Sequence, residues 1–215
     1  MGRDLNAELA ASADQARAAF DHADAARETA YRLQREVTRA AASAIRALHR
    51  RVPAEATAAL AECQALAAQL NTAARPCPAV YWTGFVLDAQ KEVAEAALLA
   101  AIVADQPLPT ANQLDIETAP WLNGLAEAAG ELRRYVLDEL RAERYERAET
   151  LIDALTAIYD CLVGFDYPDA ILLGLKRRLD MVRGVMERTL SDVATTVRDA
   201  KLLAALAAAA ERADG

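Results

Sequence analysis

Apolar residues recur every three or four positions along nearly the whole chain, which is the spacing of one face of an α-helix. From Asp4 to about Arg51 the pattern runs without Pro or Gly and predicts one very long first helix, which Pro53 ends or kinks. A second helix is predicted from about Ala54 to Thr72, closed by the breakers Arg75-Pro76-Cys77-Pro78. The third covers about Tyr81 to Ala104 and stops before Asp105-Gln106-Pro107-Leu108-Pro109. A segment to Thr118 leads into a fourth, whose first position suits Pro120 and which reaches about Arg141. The fifth spans about Ala142 to Val163. Gly164-Phe165-Asp166-Tyr167-Pro168 then precedes a sixth, from Asp169 to about Ala200, in which Gly174 and Gly184 are weak points. An Ala/Leu-rich tail, Leu202 to Ala210, follows. The connections favour an all-α antiparallel bundle of about six to seven helices, with residues 1–215 as a single domain. No period of ~34 to 45 residues repeats, so a helical solenoid is not expected.

Composition sharpens this reading. Of the 215 residues only 5% are aromatic and 8 are Gly, while roughly a quarter are Ala, a mixture that favours helix and disfavours strand. No window approaches ~18 consecutive apolar residues, and Met1 to Ser12 has neither the hydrophobic stretch nor the cleavage site of a signal peptide, so a cytoplasmic protein is expected. Cys63, Cys77 and Cys161 are odd in number and far apart, which suggests core thiols rather than a disulfide framework or a zinc site. The 24 Lys and Arg against 32 Asp and Glu give a net charge of −8, which argues against an all-over nucleic-acid coat and leaves room for a local basic stripe.

The third helix carries the first anomaly. On a wheel of 100° per residue, Phe85, Asp88, Glu92, Glu95, Ala96, Leu99 and Val103 share one arc, so carboxylates lie within an apolar stripe. The fourth repeats it, with Gly124, Glu127, Ala128, Glu131 and Tyr135 on one face. Like charges at these spacings cost roughly 0.2 to 0.5 kcal/mol even when exposed and more when buried, so the acids need compensation. A divalent cation provides it, and oxygen-only ligands suit Mg²⁺ or Mn²⁺. The residues alone also allow solvated helix faces, or ordinary ion pairs with Arg133, Arg134 or Arg141. A di-iron site would need Glu-x-x-His pairs, which neither His22 nor His49 supplies, and nucleophilic triads have no local support.

A second feature is basic. Arg32, Arg35, Arg39, Arg46 and Arg50 recur at spacings of 3, 4, 7 and 4 along the first helix, with His49 and Arg51 beside them. Such a stripe can grip phosphates without reading bases, or can be a solvated face balanced by Glu28 and Glu36. Lys176, Arg177, Arg178 and Arg183 form a further cluster on the sixth helix that is open to the same two readings.

These segments resemble the translin/TRAX family, and specifically its TRAX (translin-associated factor X) branch. Gln90-Lys91-Glu92-Val93-Ala94-Glu95-Ala96 is similar to the family's Q-E-x-x-E-A segment with one residue inserted after the Gln. Trp121-Leu122-Asn123-Gly124-Leu125-Ala126-Glu127-Ala128-Ala129-Gly130-Glu131-Leu132-Arg133-Arg134 resembles its more specific Y-L-x-G-x-A-D-x-x-G-E-L-x-R segment. Ala47-Leu48-His49-Arg50-Arg51 looks like the family's basic L-H-R-I run. Ile158-Tyr159-Asp160, Tyr167-Pro168 and Leu175-Lys176-Arg177-Arg178-Leu179-Asp180 resemble its C-terminal helices, so the likeness spans most of the chain in order.

The resemblance implies a seven-helix fold in a hollow, octamer-like homo-oligomer that binds single-stranded or short RNA, and single-stranded DNA, on its inner surface. In the TRAX branch it implies an acidic cluster that binds Mg²⁺ and cleaves RNA. Glu92, Glu95 and Glu131 take the positions of family glutamates, and Glu127 stands where the family has Asp, one methylene longer. The translin branch has an apolar residue there, so an acid at 127 places the chain with the catalytic branch. The expectation is therefore a Mg²⁺- or Mn²⁺-dependent endoribonuclease, with Glu92, Glu95, Glu127 and Glu131 as metal ligands and catalytic carboxylates. Arg32, Arg35, Arg39, Arg46, His49 and Arg50 are expected to face nucleic acid. The alternative is a non-catalytic translin-like RNA- or DNA-binding oligomer.

Overall fold

In the computed structural model, which describes residues 4–213, every regular element is a helix: α1 (Leu5–His49), α2 (Pro53–Ala74), α3 (Pro78–Tyr81), α4 (Gly84–Val103), α5 (Thr118–Arg141), α6 (Tyr145–Val163), α7 (Asp169–Leu172) and α8 (Leu175–Ala213). The all-α class is as expected, and two single turns raise the number of helices. Pro78 opens the one-turn α3, and Trp82-Thr83 separate it from α4, with Thr83 in extended conformation. Leu173 and Gly174, with φ of 53° and 84°, break the predicted sixth helix into α7 and α8, whereas Gly184 is absorbed and α8 continues through the Ala-rich tail. Left-handed Glu143 (φ 57°) delays the start of α6 to Tyr145.

Helix α1 starts at Asp4, whose carboxylate accepts the Ala7 N–H at 3.2 Å, and its 45 residues span about 68 Å. Its fully buried residues, Ala30, Leu33, Val37, Ala40, Ala41, Ala44 and Ala47, all lie in its second half, with Ala23 and Ala26 packed partly against the same core. The earlier turns carry Leu5, Leu9 and Phe20 into solvent. Helix α4 is apolar nearly all round and lies between two cores. Val86 and Val93 pack with Val37 and Leu70 of α1 and α2, while Leu98 and Leu99 pack with Leu125 and Leu132 of α5 and Leu151 and Leu155 of α6.

Short turns make antiparallel hairpins of α1–α2 and α5–α6. The longer segment 104–117 returns the chain alongside α4, so α4 and α5 run in the same direction. Lys91 meets Glu127 in their first halves, and Val103 and Tyr135 line one cavity further along. Buried Gln90 latches this return: its Nε2 donates to Asn71 Oδ1 (3.1 Å) and Tyr81 OH (3.3 Å), and its Oε1 accepts the Glu117 N–H (3.0 Å) at the entrance to α5. Replacing Gln90 by Leu strands these partners and is expected to cost about 1–3 kcal/mol for each one left buried without a bond. A urea midpoint equal to that of the parent would show that the latch adds nothing.

Buried Glu139 joins two turns by pairing with Arg51, after α1, and Arg144, before α6. Burial raises its pKa, and the two guanidinium groups outweigh this and hold the carboxyl below its ordinary value. Cys63 and Cys77 are buried as expected, but Cys161 is exposed, because it lies on the solvent side of α6. None of the described helices is long and apolar enough to cross a membrane.

Candidate functional site

The acids meet where α4 and α5 come closest, and Gly124 permits that approach. A Cβ at this position would stand 2.5 Å from Ala94 Cβ, 2.7 Å from the Lys91 carbonyl oxygen and 2.8 Å from the Glu95 nitrogen. With no side chain there, α5 rests directly on the α4 backbone between the two acids of that helix. Glu92, Glu95 and Glu127 then each present a carboxylate oxygen within 4.8 Å of the other two. Two oxygens sharing one Mg²⁺ at ~2.1 Å are at most about 4.2 Å apart, so small side-chain rotations suffice for this all-oxygen set to fit a hard cation.

Glu95 is the deepest of the three, with 8% of its surface exposed. Burial, reinforced by the charges of Glu92, Glu127 and Glu131 and opposed by Lys91, pushes its pKa from 4.5 to about 8. Glu127 is balanced locally, since Lys91 Nζ donates to Oε2 and Arg178 Nε donates to Oε1, both at 2.8 Å. Burial raises its pKa and these two bonds more than offset the effect, leaving it below the ordinary value. Lys91 also pairs with Glu92 at 3.0 Å.

Glu131 is drawn elsewhere. Its Oε2 lies 2.5 Å from His49 Nε2, and it is not one of the three converging oxygens. His49 was expected on the basic stripe and is instead buried, with 4% of its side chain exposed. The reason is angular: His49 is turned about 100° from Arg50 around α1, towards the Tyr135 ring (centroids 4.9 Å apart) and the Glu131 carboxylate. Its Nδ1 is buried without a partner, which costs on the order of 1–3 kcal/mol.

Arg32, Arg35, Arg39, Arg46 and Arg50 are all exposed along one side of α1. Arg32 pairs with Glu36 (3.0 Å), Arg46 donates to Ser43 (2.9 Å), Arg50 pairs with Glu55, and the Arg35 guanidinium lies 4.6 Å from the centre of the Tyr31 ring. Arg39 lines a cavity with Glu36, Ser43 and Glu62.

Two of the three anticipated rivals for the acids pair elsewhere: Arg133 with Asp192 of α8 (2.8 Å) and Arg141 with Asp138 (3.7 Å). Sequence reasoning missed Lys91 and Arg178 as the counter-charges. Lys91 had a signal, since it directly precedes Glu92 and is one of the few lysines. Arg178 had none, because its aim depends on the break at Leu173 and Gly174 and on bonds to the Leu173 carbonyl (3.3 Å) and Asn123 Oδ1 (3.0 Å).

Comparisons with known proteins follow this geometry. No protein-family model matches the chain. The uncharacterized protein MJ0175 of Methanocaldococcus jannaschii is 32% identical over 181 residues, 83% of this chain and 80% of that protein. AfC3PO, an archaeal protein solved alone and in complex with duplex RNA, superimposes with a TM-score of 0.83 at 30% identity. The match to the RNA complex covers 89% of this chain and 98% of AfC3PO. Apo-NeC3PO shares the fold at a TM-score of 0.70 and 19% identity, over 91% of this chain and 98% of its own. Fold, length and sequence together make this chain a member of the translin/TRAX-type C3PO family.

Proposed function

We propose that the chain is an endoribonuclease of the TRAX type, acting on single-stranded or short structured RNA with Mg²⁺ or Mn²⁺ held by the acidic cluster of Glu92, Glu95, Glu127 and Glu131. The observation that carries this reading is the convergence of three carboxylates from two helices on a partly buried point, where one of them cannot hold its charge at neutral pH without compensation. RNA as the substrate is supported by the AfC3PO complex with duplex RNA. The acid at Glu127 supports the catalytic branch over the translin branch.

Hydrolysis adds the oxygen of water to phosphorus, breaks the bond to the leaving ribose oxygen and returns a proton to that oxygen. A bound divalent cation supplies charge that polarises the phosphoryl oxygen and eases ionisation of the water. The chain supplies the rest. The proton that water loses passes to a carboxylate of the cluster and through solvent to the leaving oxygen, and one-third-exposed Glu131 stands at the cluster's edge. Lys91 and Arg178 fix the Glu127 carboxylate by a bond to each oxygen.

The test is cleavage of a labelled single strand and a short duplex in Mg²⁺, in Mn²⁺ and in EDTA. Cleavage with either ion and none in EDTA is expected; no cleavage in any condition overturns the nuclease reading. A second reading, a non-catalytic oligomer that binds RNA or single-stranded DNA, is favoured by the ion pairs of Glu127 with Lys91 and Arg178, which balance that acid without a metal. It predicts RNA binding without cleavage.

Both readings use the Arg stripe and an oligomer. Replacing Arg39 and Arg46 by Ala is expected to weaken binding alike across RNA sequences. It should lower the slope of log K against log salt by roughly 0.7 per lost contact on a single strand. An unchanged slope would assign the stripe to the outer surface. Leu5, Leu9 and Phe20 on α1 and Leu202, Leu203 and Leu206 on α8 leave apolar surface for further copies of the chain. Light scattering is expected to give an octamer-like mass, and a monomer at micromolar concentration would contradict this.

A further inference from the structure

We propose that Lys91 is the resident counter-ion of the acidic cluster: in the metal-free protein its ammonium holds the place between Glu92 and Glu127 that a divalent cation takes, and it leaves when that cation binds. Lys91 thereby keeps the carboxylates gathered before an ion arrives and sets how tightly the ion is held. The inference rests on the cation-binding half of the reading above and not on turnover.

Lys91 stands on α4 beside one acid and across from another. Its Nζ donates to Glu127 Oε2 at 2.8 Å and lies 3.0 Å from Glu92 Oε1, so it bridges the two helices where their acids converge. Only 12% of its side chain is exposed, and among the described residues these two carboxylates are its only polar partners. A cation shared by Glu92 and Glu127 lies between the same two groups, with its oxygens at ~2.1 Å. Two positive charges so close repel strongly in a partly buried site, where water screens them poorly. Binding of the ion therefore requires the ammonium to move out.

Arg178 of α8 touches the same acid and is anchored differently. It donates through Nε to Glu127 Oε1 (2.8 Å), and through Nη1 to Asn123 Oδ1 (3.0 Å) and the Leu173 carbonyl (3.3 Å). Those last two bonds involve no member of the cluster, so Arg178 keeps one oxygen of Glu127 fixed while Lys91 yields the other. The released ammonium has a destination. Asp88, exposed one turn earlier on α4, lines the same cleft as Lys91 and Arg178 and stands at the i,i+3 spacing at which an acid and a Lys pair on a helix. On this account the pairing that balances Glu127 without a metal is the metal-free state of a cation-binding protein.

A ligand that binds only the state with the ammonium released is weakened by the fraction of molecules in that state. Lys91→Met keeps most of the apolar stem and removes the charge. It is expected to bind Mn²⁺ roughly tenfold or more tighter than the parent, read by the electron paramagnetic resonance of free Mn²⁺ in a titration of EDTA-stripped protein without RNA. Damage to the site would weaken binding, so the sign itself separates displacement from a structural role. Arg178→Met removes a charge equally close to Glu127 and is expected to bind Mn²⁺ no tighter than the parent. Unchanged or weaker binding in Lys91→Met, or an equal gain in both variants as a general charge effect would give, overturns the proposal.

The second measurement leaves the site unmutated. The sequence holds three lysines, and Lys176 and Lys201 are exposed, so Lys176→Arg and Lys201→Arg assign the ¹⁵N-lysine ammonium spectrum. The sheltered Lys91 ammonium should give a slowly exchanging signal in the metal-free protein, and saturating Mg²⁺ should shift that signal or abolish it. A Lys91 signal indifferent to Mg²⁺, or a Lys91 ammonium that exchanges with water as fast as the other two before Mg²⁺ is added, would sink the role. Should Lys91→Met fail to fold in a thermal melt, this spectrum decides the matter. Wild-type protein that binds Mn²⁺ and cleaves no RNA overturns the nuclease reading alone, and the two measurements still judge Lys91. Mn²⁺ bound by neither the wild type nor Lys91→Met overturns the present inference whatever the RNA assay gives.

Discussion

Glu95→Gln is expected to abolish Mg²⁺-dependent RNA cleavage and, in the same protein, to raise stability at alkaline pH when metal is absent. The opposite signs follow from one cause. Glu95 is the most buried acid of the cluster, and its pKa stands at about 8 in the folded chain against an ordinary 4.5. Between those values the folded state holds a proton that the unfolded chain has released, so every rise in pH favours unfolding. The stabilising contribution is full below pH 4.5, declines through the window and is gone above about 8. Each tenfold difference in proton affinity is worth about 1.4 kcal/mol, so the swing is on the order of 5 kcal/mol.

A Gln amide fills the same volume, carries no charge and does not titrate. The variant in EDTA should therefore lose most of the decline in stability between pH 5 and 8.5, as read by urea midpoints. Wild-type protein should gain thermal stability with Mn²⁺, most at high pH, because an ion that binds only the folded state adds RT ln(1 + [L]/Kd); Glu95→Gln should gain little. Cleavage should fall by more than the roughly 10–100-fold that loss of an outer partner costs. The same pH slope in both proteins would mean that Glu95 is solvated. Undiminished cleavage would move the chemistry elsewhere.

The acidic pairs were legible in the sequence because each stands on an apolar stripe, and helical periodicity projects that conflict without any knowledge of the partner helix. Periodicity also placed the long first helix, and the breakers at Pro76 and Pro78 and at Gly164 to Pro168 marked its successors. What it could not show is how the helices are aimed at one another. The return of 104–117 alongside α4 hangs on the Gln90 latch, a set of bonds between residues up to 27 positions apart. Whether Glu131 joins the other acids or turns to His49 is decided by a side chain on α1, 82 residues away. Lys91 and Arg178, which set the charge of the cluster, were visible as charges but not as neighbours.

Gly124→Ala should damage both fold and site although it adds a single methyl group. In a helix exposed to solvent this change gains roughly 1 kcal/mol, since Ala loses less backbone entropy than Gly. At Gly124 the added carbon would overlap the Lys91 carbonyl oxygen and the Glu95 nitrogen, at 2.7 and 2.8 Å. These are backbone atoms of a buried helix and cannot swing aside as a long side chain would. Overpacking of this kind costs about 1–3 kcal/mol, and contact with backbone puts the expected loss near the upper end, about 3 kcal/mol. For a domain of this size that is roughly a 6–12 °C fall in Tm. Gly130 provides the control on the same helix, because a Cβ there meets nothing within 4 Å. Gly130→Ala should leave the fold intact and stabilise it by roughly 0.5–1 kcal/mol. The only relief open to Gly124→Ala is to separate α4 from α5, and that separates Glu92 and Glu95 from Glu127. Mn²⁺ affinity should therefore drop in the Gly124 variant and hold in the Gly130 variant. Equal Tm and equal Mn²⁺ affinity in the two would mean that the close approach of these helices does not assemble the carboxylates.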